Sequence, residues 1–181
     1  MTAITVFRAA VGYSEGMDSV IQPSCLECGE RADRAFCDLP ADTLRDFDGL
    51  KSVLVYPRGT ALFREGHAAR DIFVLCSGRA RLSVCSEAGR RLTLRVAGPG
   101  EILGLSAALA GSAHEVTAEL LENAQVAVIK RKDLLQFLRG HREACLQVVG
   151  LLSQDLHIAY DRVRAVGLGR GRRCRTVARV H

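Results

Sequence analysis

Between Lys51 and Lys130 the chain runs through short alternating apolar segments broken by Gly59, Gly66, Gly78, Gly89, Gly98, Gly100, Gly104 and Gly111. Turn signals recurring every roughly 7–12 residues, with period-two strands between them, specify a small antiparallel β-barrel or jelly roll. In Arg79–Cys85, Ala80, Leu82 and Val84 face one way while Arg79, Arg81 and Ser83 face the other. Arg91–Val96 repeats the arrangement, with Leu92, Leu94 and Val96 opposite Arg91, Thr93 and Arg95. Ser86-Glu87-Ala88-Gly89 between them supplies a hairpin turn in which Gly89 can take a positive φ. The predicted fold class is mainly β: a jelly-roll barrel followed by a long helix.

That helix is the second constraint. In His141–Val166, Cys145, Val149, Leu152, Leu156, Ala159, Val163 and Val166 recur at alternating intervals of four and three. A heptad seam of this kind packs on a partner helix. Leu146, Leu151 and Ile158 form a second apolar edge, available for resting on the barrel. The seam residues Val149, Leu152, Leu156, Ala159, Val163 and Val166 therefore predict a parallel homodimer. Two shorter helices are expected, one over Pro40–Phe47 with Pro40 in its first turn, and one over Arg131–Arg139. The expected organisation is a leader over 1–24, a cysteine cluster and barrel over 25–140, a dimerisation helix over 141–167 and a basic tail over 168–181.

Composition sets limits on partners. With 181 residues and 48% hydrophobic content, one compact domain with a modest extension is expected. No apolar run reaches the roughly 18–20 residues of a membrane span. Met1–Val20 carries Arg8, Glu15 and Asp18 without a continuous apolar stretch, unlike a secretory signal. A cytoplasmic protein with no membrane partner is expected. The formal charge of +5 arises in the tail, where Arg170, Arg172, Arg173, Arg175 and Arg179 stand without an acid. The barrel and its helices are neutral overall, so the charge is no sign that they bind nucleic acid. The tail itself is either a solvated end or a non-specific phosphate contact.

Seven cysteines is an odd count, which argues against a disulfide framework in a reducing compartment. Cys25, Cys28 and Cys37 form Cys-x2-Cys-x8-Cys ahead of the barrel. Two thiolates separated by two residues can chelate one iron or zinc, and a third can nearly complete the coordination shell. An iron–sulfur cluster, a zinc site, a thiol redox switch and simple packing all remain open for this triad. Cys76 lies between Leu75 and Ser77 and is expected in the core; Cys85 closes a strand near a turn, Cys145 sits on the seam and Cys174 in the tail. The barrel offers only His67 and His114, with no His-x-His pair for a cupin-type metal centre, so no enzyme is predicted.

Tyr56-Pro57-Arg58-Gly59, Phe63-Arg64-Glu65-Gly66, Ile72-Phe73-Val74-Leu75-Cys76-Ser77-Gly78 and Gly98-Pro99-Gly100-Glu101 follow one another in sequence. Their order and spacing over about residues 30–168 resemble the cyclic nucleotide-binding-type sensor domain of the Crp/Fnr transcription regulators. The resemblance implies a dimer helix at His141–Val166 and a ligand pocket at Gly104, Leu105, Ser106, His114 and Glu115. In cyclic-AMP-binding members a glutamate after the first glycine holds the ribose and an arginine after the second pairs with the phosphate. Here Leu105 and His114 stand at those positions, with Glu115 next. A buried phosphate without a cationic partner is left with uncompensated desolvation, and helix-end amides contribute only about 0.3–1 kcal/mol. Cyclic nucleotide binding is therefore not expected, and His114 is either a partly charged substitute for the arginine or a loop histidine.

Cys25, Cys28 and Cys37 resemble in position the amino-terminal ligands of the Fnr branch, whose members sense oxygen through an iron–sulfur cluster. The second gap here is longer than the Fnr spacing. The fourth Fnr ligand falls in the strand Gln125–Ile129, where Ala127 stands, so Cys76, Cys85, a non-cysteine side chain or a small molecule would have to replace it. Crp/Fnr regulators continue into a winged helix-turn-helix, for which Gly167–His181 carries no suitable apolar period, so DNA is expected as a partner only if a further carboxy-terminal domain is restored. The expectation is a redox- or metal-responsive sensor domain of a transcription regulator. The alternative is a dimeric ligand-binding or interaction module without DNA-binding activity.

Overall fold

In the third strand of the barrel, Ile72, Phe73, Val74 and Leu75 are all buried, which places that strand between two apolar layers. The computed structural model describes residues 24–28 and 37–167. A helix α1 (Ala41–Leu50) leads into β1 (Lys51–Tyr56), β2 (Ala61–Phe63), β3 (Asp71–Leu75), β4 (Ala80–Cys85), β5 (Arg91–Ala97) and β6 (Ile102–Leu103). Then come the short helix α2 (Leu105–Ala110), β7 (Thr117–Leu120), β8 (Ala124–Lys130), α3 (Arg131–Gly140) and α4 (Arg142–Gly167). The strands form two four-stranded antiparallel sheets, ordered β1-β8-β3-β6 and β2-β7-β4-β5. This is the jelly roll that the glycine spacing predicts.

One core lies between the sheets, built from Phe63, Phe73, Leu75, Leu82, Leu103, Leu120 and Val126. A second covers the outer face of the first sheet, where Ile72, Val74, Ala127 and Ile129 meet Leu44, Phe47, Leu134, Phe137, Ala144 and Val148 from the helices. Alternation explains the division: Phe73 and Leu75 point into the barrel, Ile72 and Val74 out towards the helices. Phe47 and Phe137 meet with ring centroids 5.6 Å apart, tying α1 to α3.

The β4–β5 hairpin forms where expected, with Gly89 at φ 71° and the Ser86 amide donating to the Arg90 carbonyl at 2.9 Å. Its side-chain pattern departs from simple alternation. Leu82 pairs with Arg95 but Ser83 pairs with Thr93, so Leu94 is an extra residue in β5 and the register shifts. Ser83, beyond this bulge, is buried, whereas Leu92 beyond it and Val96 before it are 53% and 48% exposed. The apolar edge of β5 faces outward.

The first turns of α4 lie against the helix-side core through Ala144 and Val148, with Leu151 and Leu152 half-buried beside them. From Ser153 to Ala165 every residue is exposed. The barrel-facing edge is thus Ala144, Val148 and Leu151; Leu146, expected there, is 61% exposed, and Ile158 lies in the exposed half. Leu152, counted with the seam, is shared between seam and core. Arg95 joins the barrel to α4 by pairing with Glu101 and reaching Asp155 at 3.4 Å. Among the described residues, no helix is long and apolar enough to cross a membrane. The leader up to residue 23, the tail over 168–181 with Cys174, and the Val166 side chain lie outside the described residues.

Candidate functional site

The predicted ligand pocket assembles around α2. Gly104 enters it at φ 80° and Gly111 leaves it at φ 70°, so both ends use the left-handed conformation that glycine adopts without strain. A Cβ at Gly104 would stand 3.0 Å from His114 Cε1. His114 is 4% exposed and stacks on Phe63, with centroids 4.0 Å apart and planes 15° from parallel. It lies in the loop between α2 and β7, buried against the barrel through Phe63. Its Nδ1 is buried without a hydrogen-bond partner. Burial lowers its pKa below the ordinary value, against the pull of Glu115 and with a smaller push from His67. The position expected from the resemblance to match a phosphate-binding arginine therefore carries a buried ring packed on an aromatic, with burial favouring its neutral form.

The other predicted pocket residues are also consumed locally. Leu105 is buried on the helix side with Ala107 and Ala108. Ser106 Oγ donates to Glu115 Oε1 at 3.2 Å. Arg131 Nε donates to the Ala108 carbonyl at 2.6 Å, so this guanidinium serves the carboxy end of α2. Gly104, Leu105, Ser106, His114 and Glu115 are brought together, in an arrangement that holds the turn.

The cysteines form the second candidate site. Cys25 and Cys28 flank a turn closed by the Cys28 amide donating to the Cys25 carbonyl at 3.4 Å. The Cys25 amide donates to Asp48 Oδ1 at 2.7 Å, which fixes the turn to α1. Lys51 Nζ donates to Cys25 Sγ at 2.8 Å and pairs with Asp48 Oδ1 at 2.6 Å, its side chain only 5% exposed. Burial pushes the Cys25 thiol up, with Lys51 working against it. Burial also disfavours ionised Asp48 and Lys51, but their mutual pairing outweighs it, lowering the carboxyl pKa and raising that of the amine.

Cys28 and Cys37 are buried, and Cys25, Cys28, Cys37 and Cys76 line one cavity of about 20 Å³ between α1 and the outer face of the first sheet. That is space for about one water. Cys25, Cys28 and Cys37 thus border one cavity. Cys76 is half-buried at the edge of this cavity rather than a plain core residue, and Cys85 and Cys145 are exposed. The sequence places Cys76 in the core and offers it only as one candidate for a fourth ligand, because Cys37, the nearest of the triad, lies 39 residues away; parity with Val74 was the signal that could have placed it. The donor type suits a thiolate-held iron–sulfur cluster or zinc. In spacing, no three histidine, cysteine or carboxylate groups among the described residues stand close enough to share one metal ion.

Comparison with known proteins agrees with this geometry. Residues 53–141 match the cyclic nucleotide-binding domain family. The cyclic AMP receptor protein of Thermus thermophilus is 28% identical over 109 residues, covering 58% of this chain and 50% of that protein. The transcriptional activatory protein AadR of Rhodopseudomonas palustris is 27% identical over 128 residues, covering 71% and 52%. The chain spans about half the length of these curated relatives. The crystal structure of the Thermus thermophilus catabolite activator protein superposes with a TM-score of 0.66 at 22% identity, covering 74% of this chain and 62% of that one. At that identity the likeness shows the fold. The barrel thus has the fold of a cyclic nucleotide-binding domain. The homologues and structural neighbours of the chain are Crp/Fnr-family transcription regulators.

Proposed function

We propose that this chain is the sensor part of a Crp/Fnr-like transcription regulator that responds to redox state or metal through Cys25, Cys28 and Cys37, and not to cyclic AMP. The observation that carries the reading is the contrast between its two sites. The cysteines converge on one apolar cavity, whereas the nucleotide position is filled by His114 stacked on Phe63. An iron–sulfur cluster or zinc on these thiolates would supply an oxidant-sensitive or thiol-sensitive tie between the segment ahead of the barrel and the barrel itself.

The chain acts as a homodimer through α4. Val149, Leu156 and Val163 are 58%, 51% and 68% exposed, and Ala159 lies beside them on a helix that leaves the barrel after Leu152. An apolar seam on a protruding helix is stabilised when a second copy covers it. DNA is a partner of the whole regulator, through a domain other than the one described.

The deciding experiment is anaerobic purification followed by absorption spectroscopy and assays of iron and acid-labile sulfide. A cluster gives brown protein that bleaches in air, and Cys28→Ser loses the colour because too few thiolates remain. Colourless protein without iron or zinc, whose thiols titrate as ordinary cysteines, overturns the reading.

A further inference from the structure

We infer that Cys25 and Lys51 are an oxidation-dependent covalent pair, whose contact hydrogen peroxide converts into a sulfur–oxygen–nitrogen bridge. The inference rests on the redox side of the functional reading, assigns it to one sulfur and one amine, and needs no metal.

The contact carries the first part. Lys51 Nζ lies 2.8 Å from Cys25 Sγ and 2.6 Å from Asp48 Oδ1. A single oxygen bonded to both sulfur and nitrogen would hold the two nuclei near the separation they already have, so the backbone need not move. The Lys51 side chain is 5% exposed, whereas Lys130, paired with Asp71 at 2.9 Å, is 65% exposed. An ordinary surface pair leaves its amine in water; Lys51 is held against the sulfur instead. The second part is positioning. Lys51 opens β1 and lies opposite Ile129 on β8. The Cys25 amide donates to Asp48 Oδ1 at 2.7 Å, so one carboxylate fixes both partners. Groups held together in this way react as if at high concentration. The third part is access. Cys25 is half-buried, and with Lys51 it borders the cavity of about 20 Å³. The sulfur is open to a small oxidant.

The chemistry balances. Burial raises the Cys25 thiol pKa and Lys51 opposes it, so a thiolate forms here as the partner of the ammonium. That sulfur attacks one oxygen of hydrogen peroxide, the O–O bond breaks, and Lys51 gives a proton to the departing hydroxide. The products are the Cys25 sulfenic acid, water and a neutral Lys51 amine. A second hydrogen peroxide oxidises the amine to a hydroxylamine and leaves as water. The hydroxylamine oxygen then bonds to sulfur, and the sulfenic hydroxyl departs as water with the hydroxylamine O–H proton. Sulfur and nitrogen each lose two electrons, which the two peroxides accept. The bridge ties the turn ahead of α1 covalently to the start of β1.

The test treats the reduced full chain with hydrogen peroxide, blocks the remaining thiols by alkylation and maps the peptides by mass spectrometry. A peptide joining Cys25 to Lys51 should appear, heavier than the sum of its halves by one oxygen less two hydrogens. Tryptic cleavage after Lys51 should be lost, and dithiothreitol should restore both that cleavage and an alkylatable Cys25. Lys51→Arg should abolish the joined peptide while keeping the charge, with circular dichroism checking that the variant folds. Cys28→Ser should retain the joined peptide, since that thiol takes no part. If peroxide instead joins Cys25 to Cys28 or Cys37 and cleavage after Lys51 persists, the inference falls and the redox reading stands. If peroxide leaves all three thiols alkylatable, the inference falls; the functional reading falls with it when anaerobic protein also holds no iron or zinc.

Discussion

His114→Phe isolates the buried ring that stacks on Phe63. The substitution keeps an aromatic ring on Phe63 and removes the buried, unpartnered Nδ1. Burial holds the folded-state pKa of His114 below its ordinary value of 6.5. Between those two values the unfolded chain binds a proton that the folded chain refuses. The neutral ring is therefore compatible with folding above the ordinary pKa, and stability is lost as pH falls from there towards the folded value. One proton of difference gives a slope of at most about 1.4 kcal/mol per pH unit. Urea unfolding followed by circular dichroism, from about pH 8 down to about pH 5, should show wild type losing stability faster than the variant below about pH 6.5. Their difference should stay flat above about pH 7. Parallel stability curves across the whole range would refute the placement of His114 as a neutral wall residue. The magnitude at neutral pH combines relief of an unsatisfied polar atom, about 1–3 kcal/mol, with the strain of a larger ring, about 1–3 kcal/mol. The slope is the cleaner observable.

Isothermal titration calorimetry should detect no micromolar or tighter binding of cyclic AMP or cyclic GMP, because a neutral histidine cannot offset a buried phosphate; such binding would make His114 a phosphate contact. Leu156→Glu with Val163→Glu should give folded monomers by sedimentation, since the barrel-facing half of α4 is untouched; a parent chain already monomeric at micromolar concentration refutes the seam. Gly59 and Gly78 share nearly the same φ, 85° and 83°, but only Gly78 faces a neighbour. Alanine at either meets left-handed strain of about 1–2 kcal/mol, and Gly78→Ala should cost about 1–3 kcal/mol more in urea titrations from the contact with Ala124. Equal costs would show that the turn does not abut β8 as described.

Much of the fold is legible in the residues because its determinants are local. Glycine-marked turns and period-two strands predict the barrel, and α1 and α3 begin within a residue of their expected starts. The outward placement of Leu92 and Val96 was not legible, because the register of β5 on β4 and its bulge at Leu94 arise from pairing between two strands and neither strand encodes them alone. The same limit applies to the sites. Gly104–Glu115 is contiguous, so its residues were found together, but the burial of His114 depends on Phe63 from another strand. Cys25, Cys28 and Cys37 announce themselves by spacing, whereas Cys76 joins them only through the register of β3 on β8. Lys51 and Asp48 carry no motif at all; their role becomes visible once the turn at Cys25 lies on the end of α1.

The cysteine cavity and α4 share one packed layer, and on the proposed reading this determines what a thiol signal can reach. Phe47 lines the cavity and also meets Phe137, whose ring stands 4.5 Å from His141 at the entrance to α4. His141 in turn contacts Asp46, the residue before Phe47, at 3.2 Å. A change in how Cys25, Cys28 and Cys37 sit against α1 therefore presses on the same residues that seat the first turns of α4. Such contiguity is a condition for coupling and not a demonstration of it; coupling further requires two arrangements of these residues that the site and the dimer bias together. The loop around α2 has no equivalent freedom, since His114 is stacked on Phe63 and abuts Gly104. The proposed reading thus puts the regulatory input on the helix-covered outer face of the jelly roll and not inside it.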